Sequence, residues 1–160
     1  MSAHLQEFEM ALAQYLGAGV SAFYRGFRIY DTPATMAVVT KWVSMYKAYR
    51  AVVTSDIVHV RRPDGRAIDA FLHVNPALPD TVGLGLAFNP TGAALTQAVR
   101  WPLYFTGLQD AAVFCQEGKQ PVLLTLGRDY SVVLNVTLAA QSVTWWAIYR
   151  PNATLGCSNI

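Results

Sequence analysis

The side chains best suited to bind a ligand lie close together near the N-terminus: Tyr24, Arg25 and Arg28. They stand in a short aromatic segment, starting at Val20, whose beginning is predicted to be a strand. A guanidinium group can donate a forked pair of hydrogen bonds to hydroxyls or to a carboxylate, and a tyrosine ring can stack on a sugar. The alternative is that Arg25 packs structurally and pairs with Asp31. The first interpretation makes Tyr24, Arg25 and Arg28 candidate substrate-binding residues.

A second set of titratable residues, Asp56, His59 and Asp69, could be combined into an acid–base group. No serine or cysteine stands beside them in a nucleophile motif such as GxSxG. A structural role at the junction between two parts of the chain is therefore predicted. His73, two residues before Asn75, is expected to be a hydrogen-bonded structural histidine rather than a ligand. No catalytic residue is assigned.

Three tryptophans, Trp101, Trp145 and Trp146, are candidates for a platform that stacks on carbohydrate. Successive side chains of a strand point to opposite faces. One of Trp145 and Trp146 is therefore expected in the core, and the other exposed or covering a junction. Trp146 is the candidate sugar contact. Gly83 and Gly85 lie within a predicted strand rather than before a helix, so they indicate close packing and no nucleotide site.

Composition excludes several classes of function. The chain has 160 residues, of which 53% are apolar and 14% charged, and its net charge of +2 offers no basic footprint for nucleic acid. No apolar run of about eighteen residues occurs, so no membrane span is predicted. Glu7 and Glu9 stand where a signal peptide would need apolar residues, and localisation stays open. His4, His59 and His73 have no zinc spacing, and no metal or cofactor is expected.

The two cysteines, Cys115 and Cys157, lie far apart in the sequence. Their spacing fits no metal site. A disulfide between them is one interpretation, and two unpaired thiols is the favoured one.

Helical periodicity is confined to the first fifty residues. A helix is predicted over residues 3–16, with Ser2 as its N-cap and Gly17 just past its end. Thr32 and Pro33 are predicted to start a second helix that runs to about residue 50. Its apolar stripe is broader than a surface helix needs, so neighbours on more than one side are expected.

After residue 55 the pattern changes to short strand-like runs separated by turn residues. Such spacing is typical of an antiparallel β-sandwich or barrel. In residues 131–138 the even positions are apolar and are expected to face the core. The predicted strands are residues 57–60, 68–74, 82–88, 95–104, 111–115, 121–126, 131–138 and 142–149.

Five segments carry a resemblance to a known family. Residues 19–32 resemble the last strand and helix of the (β/α)₈ barrel in bacterial glycoside hydrolases of the α-galactosidase-like kind. Residues 55–66 resemble the junction that follows, and three later segments are similar to landmarks of the C-terminal sandwich. In order, the segments read GVSAFYRGFRIYDT, SDIVHVRRPDGR, FLHVNP (residues 71–76), AFNPT (residues 87–91) and PLYFTGL (residues 102–108).

The resemblance implies two parts: a terminal segment of an α/β barrel over residues 1–60 and a C-terminal β-sandwich over residues 61–150. Residues 151–160 lie outside the resemblance and are predicted to be a disordered tail. The expected fold is thus mainly β, an antiparallel sandwich preceded by a helix–strand–helix slice of a barrel. A slice of this kind cannot bury both faces of its strand alone. The expected partners are the missing barrel, or a second copy joined through the helices of residues 1–50.

Glycosidic bond hydrolysis uses two carboxylates across the scissile bond, and the resemblance implies that they lie on barrel strands absent from this chain. The predicted function is a C-terminal accessory region that buttresses a glycoside hydrolase and contacts carbohydrate only through the parent enzyme. This chain alone is expected to be inactive. The alternatives are a carbohydrate-binding module using an exposed tryptophan, and an interaction module that docks through Trp42 and Met45.

Overall fold

The computed structural model describes residues 2–20 and 28–153. A 3₁₀ turn at Ser2–His4 leads into three helices, α1 (Leu5–Gly17), α2 (Pro33–Ala48) and the single turn α3 (Arg50–Val53). The rest of the described chain is β-structure. Its strands are β1 (Asp56–Arg61), β2 (Asp69–Val74), β3 (Thr81–Asn89), β4 (Leu95–Pro102), β5 (Ala111–Gln116), β6 (Val122–Thr125), β7 (Ser131–Leu138) and β8 (Ser142–Tyr149).

The strands form two antiparallel sheets. The larger has the order β1-β2-β3-β8-β5-β6, and the smaller pairs β4 with β7. Each of the eight predicted strands is found, which confirms the antiparallel sandwich. β4 ends at Pro102 rather than at residue 104, since proline lacks the N–H that would continue the ladder.

The first core lies between the two sheets. β7 contributes Val132, Val136 and Leu138 to it, while Val133 between them is 62% exposed, as the predicted alternation requires. The small sheet also inserts Trp101, whose ring lies over Gly85 of β3. A Cβ atom built at Gly85 would stand 2.5 Å from Cζ3 of Trp101, so the strand needs glycine there. Close packing at Gly85 is confirmed.

The second core covers the opposite face of the large sheet. Trp42 and Met45 of α2 are fully buried and pack with Leu84, Leu86 and Trp145 of that face. α1 packs along α2 and also reaches the sheet. The described chain is therefore a three-layer structure: helices, six-stranded sheet, two-stranded sheet.

Local signals explain how α2 starts and stops. Thr32 Oγ1 accepts a hydrogen bond from Thr35 N, the side chain of Thr35 bonds back to Thr32 N, and Pro33 occupies the first helical position. The predicted start is confirmed. The predicted helix to residue 50 is interrupted at Tyr49, after which Arg50 opens α3.

Some predictions disagree with the structure, and others concern residues that the structure does not describe. α1 begins at Leu5 with His4 at the N-cap position, so the prediction that Ser2 caps it was wrong. The predicted boundary after residue 60 falls inside β1, and the division at that point stays a prediction. Residues 21–27, which include most of the predicted first strand, and residues 154–160 of the predicted tail lie outside the described residues. No described helix is long and apolar enough to cross a membrane.

Candidate functional site

One of the predicted substrate-binding residues, Arg28, lies shortly before the start of α2. Tyr24 and Arg25 lie outside the described residues, and Arg28 is the first residue after that gap, with an exposed side chain. Arg28 lines an open groove of about 760 Å³ together with residues of the turn before α2. The lining residues are Arg28, Ile29, Tyr30, Asp31, Thr32, Pro33 and Met36.

Apolar and polar side chains both line the groove. Ile29, Tyr30 and Met36 are 50%, 42% and 44% exposed, which is much apolar surface for so short a segment. Asp31 Oδ1 accepts a hydrogen bond of 2.9 Å from Thr35 Oγ1, so its carboxylate is tied to the α2 cap. The predicted roles of Tyr24, Arg25 and Arg28 stay predictions, and Arg28 is the member of the three that the structure describes in the groove.

A second polar cluster joins the helices to the sheet. Lys41 Nζ lies 2.8 Å from Glu9 of α1 and 2.9 Å from Glu117 in the turn after β5. Glu9 Oε1 also accepts a hydrogen bond of 3.2 Å from Trp42 Nε1. The Lys41 ammonium stands 5.4 Å from the ring centroids of both Trp42 and Trp145, within cation–π range. The cluster connects two helices and the sheet.

The charges in this cluster respond differently to burial. Burial lowers the pKa of Lys41, but the hydrogen bonds to its two carboxylates outweigh that effect and leave the pKa raised. Burial also raises the pKa of Glu117, and there the Lys41 ammonium does not compensate. The pKa of Lys41 is raised because the carboxylates of Glu9 and Glu117 both stabilise its charge. The pKa of Glu117 is raised because burial disfavours its charge, while Glu117 shares the Lys41 cation with Glu9 and is repelled by the Glu9 carboxylate. The cluster is best described as a structural bridge, since its atoms are occupied with one another.

His73 anchors the end of α1 to the sheet. Its side chain is fully buried, and Nε2 lies 2.7 Å from the carbonyl oxygen of Gly17, to which it donates. This confirms a hydrogen-bonded structural histidine. Burial lowers the pKa of His73 and outweighs the opposing contacts with the backbone of Gly17 and Ser55.

We expect His73 to make folding sensitive to acid. Because its folded-state pKa lies below the ordinary value of about 6.5, protons bind the unfolded chain more tightly. The stability that neutral His73 contributes is complete at pH values above the ordinary pKa. It is lost as the pH falls from the ordinary pKa through the folded-state pKa, with a slope of at most about 1.4 kcal/mol per pH unit. Urea unfolding between pH 7.5 and 5.0 measures this slope. His73→Gln, which keeps a donor for Gly17, should flatten it, and an unchanged slope in that variant would exclude His73 as the source.

The predicted acid–base set is not assembled. Asp56 is exposed at the start of β1, opposite Val74, whereas His59 and Asp69 line a cavity of about 300 Å³ further along. Burial raises the pKa of Asp69, and its Oδ1 makes no hydrogen bond with any described residue. Arg61, in the same cavity, donates to the Ile68 carbonyl and to Asp64 instead. Across the described part of the chain, no group of three His, Cys, Asp or Glu side chains could hold a metal ion.

The tryptophans proposed as a sugar platform are all buried. Trp145 and Trp146 do point to opposite faces, as predicted, but both faces are covered, and they are 2% and 5% exposed. Trp101 is fully buried against Trp146, with ring centroids 5.3 Å apart. The edge of Trp146 reaches a cavity of about 140 Å³ between β5, β6 and β7. Sugar contact by Trp146 stays a prediction, and it would require that cavity to open.

Sequence reasoning missed three exposed aromatic side chains. Tyr104, Phe105 and Tyr130 are 63%, 57% and 38% exposed and lie at one end of the small sheet. Tyr104 touches both others edge-on, with ring centroids 5.3 Å from Phe105 and 5.6 Å from Tyr130. Pro102 was the available signal, because a strand that stops there releases the two following aromatic residues from the sheet.

The cysteine interpretation is corrected by the structure. Cys115 on β5 is disulfide-bonded and 6% exposed, so the favoured prediction of two unpaired thiols was wrong. Cys157 lies outside the described residues. The long sequence separation gave no geometric information on whether the two could meet.

Comparison with known proteins gives a likeness of fold. No family model and no curated protein matches the chain. Among solved structures, an α-amylase from Geobacillus thermoleovorans, GTA, complexed with acarbose matches 93% of this chain with a TM-score of 0.65 and 11% identity. AmyP in complex with maltose matches 92% with a TM-score of 0.55 and 9% identity. The chain covers only 34% and 35% of those two chains. By fold, the chain is similar to about a third of each of these two larger chains, a coarser likeness than the α-galactosidase-like resemblance of its motifs.

Proposed function

We propose that this chain is the C-terminal accessory region of a glycoside hydrolase, which buttresses a catalytic barrel and does not hydrolyse glycosides alone. The observation that carries the proposal is the helix layer packed on the outer face of the sandwich. A helix–sandwich unit whose fold covers about a third of two α-amylases suits a part of a larger enzyme better than a complete one.

The core between α2 and the large sheet supports a buttressing role. Trp42 and Met45 are fully buried there, and Lys41 bridges Glu9 and Glu117 at its edge. Packed side chains and short ion pairs therefore hold the helices against the sheet. A barrel continuing from these helices would be held rigidly against the sandwich.

Exposed apolar side chains support a partner on the helix side. Tyr15, Val20, Ile29, Tyr30 and Met36 are between 42% and 50% exposed, and all belong to α1, to α2 or to the segments beside them. When a neighbour covers side chains of this size, the free energy falls by about 25 cal/mol per Å² of apolar surface buried. The rest of a barrel is the proposed neighbour. Docking through Trp42 and Met45, which the sequence suggested, is excluded by their complete burial.

Three of the described carboxylates, those of Glu9, Glu117 and Asp64, are engaged in ion pairs. The pair used by glycosidases flanks an open cleft and leaves both groups free for the sugar. Glu9 and Glu117 approach each other only through Lys41, and Asp64 is bound to Arg61. Catalysis is therefore proposed to reside in the parent enzyme. A glucan is the proposed substrate class, because the amylase structures hold acarbose and maltose. An α-galactoside is the alternative that the motifs suggest.

The size of the native polypeptide tests this proposal. An antibody against the sandwich should capture, from the source, a polypeptide about three times heavier than 17.5 kDa, since the chain covers about a third of its structural neighbours. Intact-mass spectrometry measures it, with the purified 160-residue chain added as a recovery control. A native product of 17.5 kDa would contradict the proposal. A stand-alone carbohydrate-binding module, favoured by the exposed rings of Tyr104, Phe105 and Tyr130, would then lead.

A further inference from the structure

The aromatic platform, defined as Tyr104, Phe105 and Tyr130, is the largest group of touching exposed rings among the described residues. The rings meet edge-on at interplanar angles of 85° and 69°, so each contact covers part of one ring and the side chains stay 38% to 63% exposed. Tyr104 and Tyr130 present apolar faces with polar hydroxyl tips, and Phe105 adds an apolar face. Such a surface costs free energy in water unless something covers it.

The backbone fixes the platform before any ligand arrives. Leu103 N donates to the carbonyl oxygen of Tyr130 at 2.8 Å, which joins the two loops that carry the rings. Thr106 Oγ1 donates to the Leu103 carbonyl at 2.6 Å and closes the 3₁₀ turn Tyr104–Thr106. Rings positioned by short hydrogen bonds lose little freedom on binding, which favours affinity.

Tyr130 occupies an unfavourable backbone conformation. Its φ of +56° lies in the left-handed region, where a bulky side chain is rare. The turn holds it there through a 2.9 Å hydrogen bond from Tyr130 N to the Gly127 carbonyl. Glycine would adopt this conformation without strain. An aromatic side chain at this position therefore costs stability that the fold alone does not require.

Charged groups that can bind hydroxyls adjoin the platform. Arg100 forms an ion pair with Asp129, the residue before Tyr130, and its Nε donates to Ser131 Oγ at 2.9 Å. The side chains of Arg100 and Asp129 are 63% and 45% exposed, so both still reach solvent. The pair is neutral overall, which does not favour a phosphate-rich ligand. Apolar faces beside fixed donors and acceptors match a pyranose ring, with its apolar C–H face and polar rim.

We propose that the aromatic platform binds a pyranose ring of an oligosaccharide by stacking, with Arg100 and Asp129 bonding its hydroxyls. The choice of a glucan as ligand rests on the proposed function. The geometry of the site is independent of that function. The platform lies on the small sheet, on the far side of the large sheet from the helix layer. It would therefore hold polymer at a distance from the groove at the start of α2.

The test is affinity electrophoresis of the full chain through gels containing soluble starch, followed by calorimetric titration with maltoheptaose. Retention of the chain is expected, with Tyr104→Ala weakening binding at least about fivefold. Tyr130→Gly is the decisive variant, because it removes a ring and relieves the positive φ. It should lose binding while its thermal midpoint stays equal or rises. Leu123→Ala, at a side chain 64% exposed on β6, is the matched control and should bind as the parent does.

Two results would overturn the proposal: no retention of the parent chain in starch, or full retention of both Tyr104→Ala and Tyr130→Gly. Neither result bears on the native mass, so the platform can fail while the accessory-region proposal stands. Conversely, binding by a native product of 17.5 kDa would support the platform and contradict the accessory role.

Discussion

Replacing Trp42 by alanine is expected to lower the free energy of unfolding by about 3–5 kcal/mol, the usual cost of removing a buried tryptophan. Trp42 is fully buried, packs edge-on against Trp145 with ring centroids 5.1 Å apart, and donates to Glu9. The variant leaves a cavity between α2 and the large sheet and deprives the Lys41 cluster of one partner. The whole chain should lose stability, because the sheet belongs to both cores.

Urea titration followed by two probes measures this effect. Far-ultraviolet circular dichroism at the helix band reports the helix layer, and tryptophan fluorescence of the variant reports Trp101 and Trp146 in the core between the sheets together with Trp145 in the core under the helices. Both transitions should shift together. Leu123→Ala, an exposed apolar change on β6, should stay within about 0.5 kcal/mol of the parent. Helices that unfold first while the fluorescence transition is unmoved would show that the layers are independent.

The second large effect concerns the contact between the sheets at Gly85. Gly85→Ala places a methyl group 2.5 Å from Cζ3 and 2.9 Å from Cη2 of Trp101, so the small sheet must shift. Overpacking of this kind costs about 1–3 kcal/mol. Trp101→Ala alone should cost about 3–5 kcal/mol through the cavity it leaves.

Combining the two changes should reverse the sign of the glycine effect. With the indole gone, the new methyl group has room. Alanine also restricts the unfolded chain, which stabilises by about 0.4–1 kcal/mol. In the Trp101→Ala background, Gly85→Ala is therefore expected to be neutral or stabilising, with a coupling energy within the range known for residues in contact. Equal costs in both backgrounds would contradict the packing described. Gly92→Ala, where a Cβ meets nothing within 4 Å, is the control.

Local patterns predicted the elements well because their causes are local. Thr32 and Pro33 start α2 through hydrogen bonds to residues within one turn. The alternation in β7 follows from the pleat of a strand with one wet face. These features need no knowledge of distant segments.

The layer on the far side of the large sheet was anticipated only in part. One of the adjacent Trp145 and Trp146 was expected in the core, and the other exposed or covering a junction. β3 is buried from Val82 to Asn89, a continuous run that indicates cover on both faces. Its apolar sequence carried that signal. The helices provide this cover. A short segment of sequence does not show which distant element will pack on the sheet.

The candidate sites depend even more on long-range geometry. Tyr104 and Tyr130 are 26 positions apart in sequence, and the pairing of β4 with β7 and the hydrogen bond from Leu103 N to the Tyr130 carbonyl bring their loops together. The positive φ of Tyr130 could not be predicted from its residue type, since turns that require a positive φ usually contain glycine or asparagine. Arg28 lines the groove before α2, and its predicted role in substrate binding stays a prediction.

The most direct test of the accessory role is a comparison of hydrolysis by two preparations. The native polypeptide captured from its source and the purified 160-residue chain are incubated at equal molar amounts with soluble starch and with an α-galactoside, and reducing sugar is measured. We predict turnover by the native polypeptide on one of the two substrates and none above blank by the chain. Equal turnover by the chain would show that its own residues carry out catalysis and would contradict the account.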